Sequence, residues 1–486
     1  MRKIVIYLEK VTYQHDVAVL ASFLREKGVE CSILFKEVEG EEIAKTIKAL
    51  APCYLVMPSE FRAHGGTSEL LFVLQTARII KQQTGVPVVV MGRQASIAAE
   101  MLLQKFNFID GIVVGDPEYP ILNLAREGEK ENIAGLSYLN GNGRVVQNPV
   151  GVQTNLSSLP RPAFDDFFQH KDANKMGFFV PVSRSCIFRC AFCQQGEWNK
   201  KIGNKKASAQ YYSVEWIIDN LKYLNSKYGP ITNFYFTDTN LTLSKEYIRK
   251  FIKLYKSELN IPFICAARAN LMDEEAAGLL KEGNCSKVNF GMESGNETTR
   301  NKLLRKGISD KHIRKCIAAL RKNGIRVQAG IIIGLPGDTF SSALDSLAKA
   351  VDFGTDILNV SIYQPYYGTQ LAYEAVRKGF LESDFMLWNQ SKNKQYGECC
   401  LNLVDKKKIE NLQLLSPLFK FVPNKRLFAF LCLIPKNRLF FTVYHLPRML
   451  RGLKYEINNE AIMFKVVYLI SNLTRIILKK ERPYNR

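Results

Sequence analysis

The sequence predicts an α/β protein in two successive parallel-strand units, followed by a helical C-terminal region. Three observations predict it. Short apolar strands alternate with amphipathic helical stretches from the N-terminus to about residue 380, the alternation is interrupted around 146–176, and the apolar stretches beyond 380 take helical spacing among many basic residues. A chain of 486 residues is too long for one ordinary core, and its 47% hydrophobic content rules out extensive disorder.

In the first unit, RKIVIYL (2–8), CSILF (31–35), CYLVMP (53–58), VPVVVMG (86–92) and GIVVG (111–115) read as strands. Helical patterns separate them at 15–28, 41–50, 69–83 and 96–106. Alternation at this spacing predicts a doubly wound parallel sheet, whose ligands lie at the carboxyl ends of the strands. The loops to watch are therefore 9–15, 58–66, 92–94 and 115–118.

The second unit repeats strand then helix six times. FFVPVS (178–183), TNFYFTD (232–238), PFICAAR (262–268), SKVNFGME (286–293), VQAGIIIG (327–334) and ILNVSIYQP (357–365) are its strands. Six such units form a partial (β/α)6 barrel with its site at the strand C-termini. The predicted division is 1–145 for the first sheet, 146–176 for a linker, 177–380 for the barrel and 381–486 for a basic, aromatic helical region.

Directly after the first barrel strand comes Cys186-x3-Cys190-x2-Cys193. Iron–sulfur clusters are normally held by four thiolates, so three on one loop leave one iron of a four-iron cluster open to an outside ligand. The competing reading, three unrelated thiols, does not explain the spacing. The other cysteines are scattered apart from Cys399-Cys400, which fits reduced thiols in a reducing compartment. An exposed cluster also favours an anaerobic setting. Cys399-Cys400 reads chiefly as structural, with a hydrogen-atom donor as the alternative.

The net charge is +21, and residues 417–486 hold 14 Lys/Arg against 3 Asp/Glu, about half of the excess. Such charge raises nucleic acid as a partner, but no nucleic-acid-binding module is visible, which argues against it. MRKIVIYL passes directly into polar EKVTYQHD without a signal-type apolar stretch, so the expected location is cytoplasmic.

The cysteine loop, with Phe192 just before the third cysteine, resembles that of the radical S-adenosylmethionine (SAM) enzymes, as does GMESGNETTRNKLLRKG followed by GIIIGLPGD. The YQPYYGT segment (363–369) closes the sixth unit in that family's style. The resemblance implies a 4Fe-4S cluster on Cys186, Cys190 and Cys193, with SAM chelated by the free iron and supplying a 5′-deoxyadenosyl radical. It implies SAM contacts from Phe192, Asp238, Arg268, Glu293, Ser294, Gly330, Ile332 and Gly334. The first unit resembles the cobalamin-binding domain that precedes the barrel in one large subgroup, in MGRQAS, GDPEYPIL, the hairpin-like IAGLSYLNGNGRVVQNP and LSSLPRPAFDDF. It implies cobalamin contacts from Ser59, Gly92, Gly115 and Glu118. No D-x-H-x-x-G stretch exists, and Arg93 and Gln94 stand where that turn usually has Gly and His. Cobalamin without a protein histidine on cobalt is therefore expected, the alternative being a parallel sheet that has lost its cofactor. His15 and His64 read as ordinary loop histidines.

Beyond 380, LFAFLCLI (427–434) and LFFTVYHL (439–446) are too short to span a bilayer as helices. With the amphipathic stretch 462–478 they predict either a helical cap over the barrel or an in-plane membrane anchor through 417–486, at the inner face of the membrane. The resemblance as a whole implies a cobalamin-dependent methyltransferase acting on an unactivated carbon. One SAM would provide the radical, a second the methyl group carried by cobalamin, and an external one-electron donor the reductant. The rivals are a radical cyclase, rearranging or oxidative enzyme with the same domains and, in a different class, a non-catalytic membrane-surface iron–sulfur scaffold. The substrate is expected to be a small or lipid-like molecule.

Overall fold

The computed structural model describes residues 2–11, 13–59, 70–126, 128–169, 178–204, 209–237, 241–385 and 398–445. Asp238, His64 and the stretch 462–478 lie outside them.

Thirteen strands form two sheets among these residues. The first contains β1 (Lys3–Leu8), β2 (Glu30–Phe35), β3 (Tyr54–Pro58), β4 (Val88–Met91), β5 (Gly111–Val113), β6 (Leu136–Leu139) and β7 (Val145–Gln147), in the order β2-β1-β3-β4-β5-β6-β7. The first five strands are parallel, and β6–β7 is an antiparallel hairpin added at the edge. Because β7 belongs to this sheet, the sheet runs two residues past the expected end at 145. Alternate side chains of β1 enter different cores: Ile4, Ile6 and Leu8 pack on one face and Val5 and Tyr7 on the other. Both faces are covered, as a parallel sheet requires.

The second sheet holds β8 (Phe178–Val180), β9 (Phe234–Phe236), β10 (Phe263–Ala267), β11 (Cys285–Glu293), β12 (Arg326–Ile333) and β13 (Ile357–Ile362), all parallel and in chain order. The partial (β/α)6 barrel is as the sequence predicts. In β12 Val327, Ala329, Ile331 and Ile333 are buried towards the surrounding helices, whereas Gln328, Gly330 and Ile332 alternate with them and are less covered. These are the lumen positions.

The segment expected as a linker is tightly packed. Leu156, Leu159, Phe164, Phe167 and Phe168 are buried in the core that joins the first sheet to the barrel. Trp216 donates its indole N–H to the Leu159 carbonyl at 2.6 Å, and Arg25 pairs with Asp166 at 2.6 Å. Continuous burial of this kind fixes the strand ends of the two units relative to one another.

Beyond the barrel, the helix Lys406–Phe419 packs on β13 and on the helix Phe340–Asp352. A second helix, Lys425–Leu431, follows it.

Candidate cluster and cofactor site

The cysteine loop has few backbone bonds of its own, so neighbouring elements hold it. The Ala191 N–H donates to the Leu304 carbonyl at 2.9 Å, and the Leu371 N–H to the Ala191 carbonyl at 3.0 Å. Asn199 donates to the Cys186 carbonyl at 2.8 Å. Cys193 caps the helix Gln194–Lys201, whose N-terminal N–H groups and dipole favour negative charge. Cys186 and Cys190 are half-buried and Cys193 is exposed. Among the described residues no three Cys, His, Asp or Glu side chains gather around a single-metal point. A cubane does not require that, because its thiolates bind different irons. Three thiolates on one pinned loop above a helix N-terminus fit a cluster.

The ends of β10 and β11 reach this loop. The Arg268 guanidinium, buried at the end of β10, lies 3.7 Å from the centre of the Phe188 ring and 3.7 Å from the Cys190 sulfur. Its Nε, also buried, has no hydrogen-bond partner among the described residues. Glu293 sits at φ +65° beside a register shift in β11, a left-handed conformation rare outside glycine. Its carboxylate folds back to pair with Lys306 at 2.6 Å, and the ammonium lies 5.9 Å over the Phe192 ring. A Cβ on Gly291 would fall 2.0 Å from that carboxylate and 2.7 Å from the Lys306 ammonium, so any side chain there would displace the pair. Ser294 is buried, its hydroxyl accepting from the Asn296 N–H and its carbonyl from the fully buried Arg300.

On β12, Gly330 pairs in register with Gly291. A Cβ at Gly330 would meet its neighbours only at ordinary contact distance, 3.6 Å and beyond, so the protein itself does not demand glycine there. The two bare positions leave a smooth strip of sheet in the lumen, with Ile332 next to it. Gly334 takes φ +72°, and the Asp338 carboxylate closes the turn by accepting from the Gly334 and Leu335 N–H groups at 3.0 and 3.2 Å. Burial raises the Asp338 carboxyl above its ordinary range, opposed by those same bonds and by Ser342.

A second recess lies where the first sheet's strand ends face the barrel. Gln14, Asp16, Pro58, Gly92, Arg93, Gly115, Asp116, Arg184 and Trp198 line it. Gly92 and Gly115 have φ of +117° and +105°, open to glycine alone, and let the backbone come close to a ligand. Gln14 is only 5% exposed, and neither its amide nitrogen nor its oxygen has a partner among the described residues. A buried amide left so costs about 1–3 kcal/mol unless a ligand or water completes it. These residues fit a large polar cofactor spread over the strand ends.

Two of the four expected contacts in this unit are placed otherwise. Ser59 is fully buried, bonded through its N–H to the Met91 carbonyl at 2.8 Å and through its hydroxyl to the Ala95 N–H at 3.4 Å, so it braces the 92–95 turn from behind. Glu118 is 0% exposed and chelated by Arg184, with the Nη1–Oε2 distance at 3.0 Å. Thr154 donates to the same carboxylate. Glu118 thus ties the first sheet to the barrel instead of facing a ligand. His15, the first residue of the helix His15–Glu26 and not a loop residue, has Nδ1 3.1 Å from the Tyr13 hydroxyl and Nε2 3.1 Å from the Tyr212 hydroxyl. Both ring nitrogens are engaged, which keeps it from a metal. Arg184, Lys306, Arg300 and Gln14 escaped the sequence reading. Each had a visible signal all the same, since Gln14 lies in the loop 9–15, Arg184 stands just before the cysteine loop, and Lys306 and Arg300 lie inside GMESGNETTRNKLLRKG.

A thiolate loop at the mouth of a six-stranded barrel, fed by charged strand ends and adjoining a glycine-lined recess in a second α/β unit, defines an iron–sulfur enzyme with two neighbouring cofactor sites. The radical SAM superfamily model matches residues 180–350, and a B12 binding domain model matches 1–125. The chain thus carries a radical SAM domain preceded by a B12-binding domain. It is 28% identical over 376 residues to an uncharacterized methyltransferase of Pyrococcus horikoshii, covering 75% of this chain and 79% of that protein. It is 22% identical over 449 residues to the cytidylyl-2-hydroxyethylphosphonate methyltransferase of Streptomyces wedmorensis, covering 79% and 82%. Among solved structures, the radical SAM methyltransferase TsrM of Kitasatospora setae, with cobalamin and a 4Fe-4S cluster bound, superposes with a TM-score of 0.63 at 17% identity. That match covers 78% of this chain and 75% of TsrM, and shows a shared fold.

Proposed function

We propose that this enzyme transfers a methyl group from SAM, by way of cobalamin, to an unactivated carbon of a small molecule. The observation that carries the reading is the shared helix Gln194–Lys201. Cys193 caps its start, and Trp198, one turn on, lines the recess at the first sheet's strand ends. The two cofactor sites are therefore adjacent, as passing a methyl group to a radical generated nearby requires.

When bound, the cluster with SAM supplies a 5′-deoxyadenosyl radical, and cobalamin supplies the methyl group. Cys186, Cys190 and Cys193 hold the cluster. Arg268 and Lys306 keep the loop's aromatic residues against the barrel mouth, while Glu293, Ser294 and the lumen positions Gly330, Ile332 and Gly334 would receive SAM. Gly92 and Gly115 would leave room for cobalamin, and Gln14 would offer it a donor and an acceptor. A site closed between the two units would protect a carbon radical from quenching. An external one-electron donor and a peripheral seat at a membrane belong to the same reading.

Product analysis separates methylation from the other radical chemistries. With SAM and the true substrate, 5′-deoxyadenosine and S-adenosylhomocysteine should accumulate in equal amounts. Substrate conversion with 5′-deoxyadenosine alone would replace the reading with a cyclase or rearrangement. The recess makes a second prediction: the reconstituted protein should bind hydroxocobalamin stoichiometrically, with an absorption spectrum free of nitrogenous lower-axial ligation, because the chain has no D-x-H-x-x-G stretch and His15 is held by two tyrosines. A histidine-ligated spectrum, or no binding at saturating cobalamin, would overturn it.

A further inference from the structure

Arg93 stands where the turn that the first unit resembles usually has glycine. The fold gives this extra side chain a definite place. Arg93 opens the short helix Arg93–Ile97 after β4, and that helix packs against Gln194–Lys201, the helix that Cys193 caps. Its guanidinium lies 5.8 Å from the centre of the Trp198 ring, and both residues line the glycine-lined recess. Trp198 follows Cys193 by five residues, about 7.5 Å along a helix. Arg93 therefore stands in the wall between the recess and the cysteine loop.

The protein leaves this cation unused. Among the described residues Arg93 enters no ion pair, and its buried Nε has no hydrogen-bond partner. The two acids of the lining, Asp16 and Asp116, lie beside Arg184 instead, at 3.6 and 3.5 Å. On the other side of the wall, burial raises the Cys193 thiol, and a backbone hydrogen bond from Gln195 and the Arg93 charge oppose that rise. One guanidinium thus acts on both sites. A fixed cation in a partly dehydrated wall favours the neighbouring state that carries less positive charge. Each one-electron reduction makes such a state, because one electron enters from the external donor and one unit of positive charge is lost. We infer, on the cobalamin reading above, that Arg93 is a charge shared by the two cofactor sites, and that it eases the reduction of both the cluster and the cobalt.

The test uses the full-length enzyme with its cluster reconstituted and hydroxocobalamin bound, titrated against potential without substrate. Absorbance follows cob(II)alamin to cob(I)alamin, and electron paramagnetic resonance follows the cluster. Arg93→Met keeps an apolar stem against Trp198 and removes the charge, whereas Arg93→Lys restores it. The Met variant should retain native iron and cobalamin contents while both midpoints move to more negative potential, and the Lys variant should stay close to native. Unmoved midpoints in the Met variant, or a shift at one cofactor alone, would overturn the inference. Equal shifts in the Met and Lys variants would do so too, by reducing Arg93 to packing on Trp198, as would loss of cobalamin from the Met variant, which would make Arg93 a binding group. A native enzyme that takes up no cobalamin would overturn the cobalamin reading and the inference with it, a result distinct from bound cobalamin with unmoved midpoints.

Discussion

Converting Cys186, Cys190 and Cys193 together to Ala is expected to remove about four irons per chain after anaerobic reconstitution, and with them all reductive cleavage of SAM. The loop is pinned by Leu304, Leu371 and Asn199 through backbone atoms of Cys186 and Ala191, so the substitution takes away the ligands and leaves the loop's supports. The fold should therefore persist, as circular dichroism and cobalamin binding would show. An iron content unchanged by the triple substitution, or SAM cleavage at the native rate, would refute the assignment of these thiolates. Arg268→Met gives a finer readout. Hydrogen bonds and positive charge beside cluster sulfurs favour the reduced state, and Arg268 stands 3.7 Å from the Cys190 sulfur. This variant should keep its iron but show a more negative cluster midpoint in an electron paramagnetic resonance titration, with Arg268→Lys between the two. An unchanged midpoint in the Met variant would limit Arg268 to packing on Phe188.

The parts that the sequence disclosed are those set by local rules. β1 and β12 show strand periodicity with buried neighbours, and each appears where its apolar run stands. The three cysteines follow from spacing alone. What stayed hidden depends on pairings far apart in the chain. Glu118 reads as a ligand-facing acid because it follows Gly115-Asp116-Pro117 at a strand end, and only the fold reveals Arg184, 66 residues away, across it. Ser59 likewise sits after a strand where ligands gather, yet its hydroxyl is used by Ala95. The two faces of the C-terminal helices posed the same difficulty: their apolar residues occur nearly all round, so periodicity could not separate a cap from an anchor, and only burial divides Phe428 from Phe430.

Arg184→Met is expected to destabilise the protein by about 3–5 kcal/mol, because it strips the cation from a fully buried carboxylate. In the native chain Arg184 holds Glu118 and lies 3.5 Å from Asp116 and 3.6 Å from Asp16, with its own side chain 5% exposed. Burial pushes the Glu118 carboxyl up, and Arg184 is the group that opposes this. Without Arg184 burial and the neighbouring Asp116 still raise it, opposed only by lesser hydrogen bonds such as that from its own backbone N–H, so the folded-state value in the variant must lie above the unfolded one. A carboxyl raised in this way binds more protons when folded, so its unfavourable effect is absent below the unfolded value of about 4.3 and grows as pH rises through the folded one. The stability deficit of Arg184→Met relative to native should therefore shrink as the pH is lowered from about 7 towards 5, measured as the difference in urea midpoints. Arg184→Met/Glu118→Met, which replaces the pair by apolar groups, should recover most of the loss. Because Arg184 also lines the recess, the single variant should bind hydroxocobalamin more weakly than native. A single variant as stable as native at neutral pH would show that Glu118 finds another partner, and that this ion pair is not needed to hold the two units together.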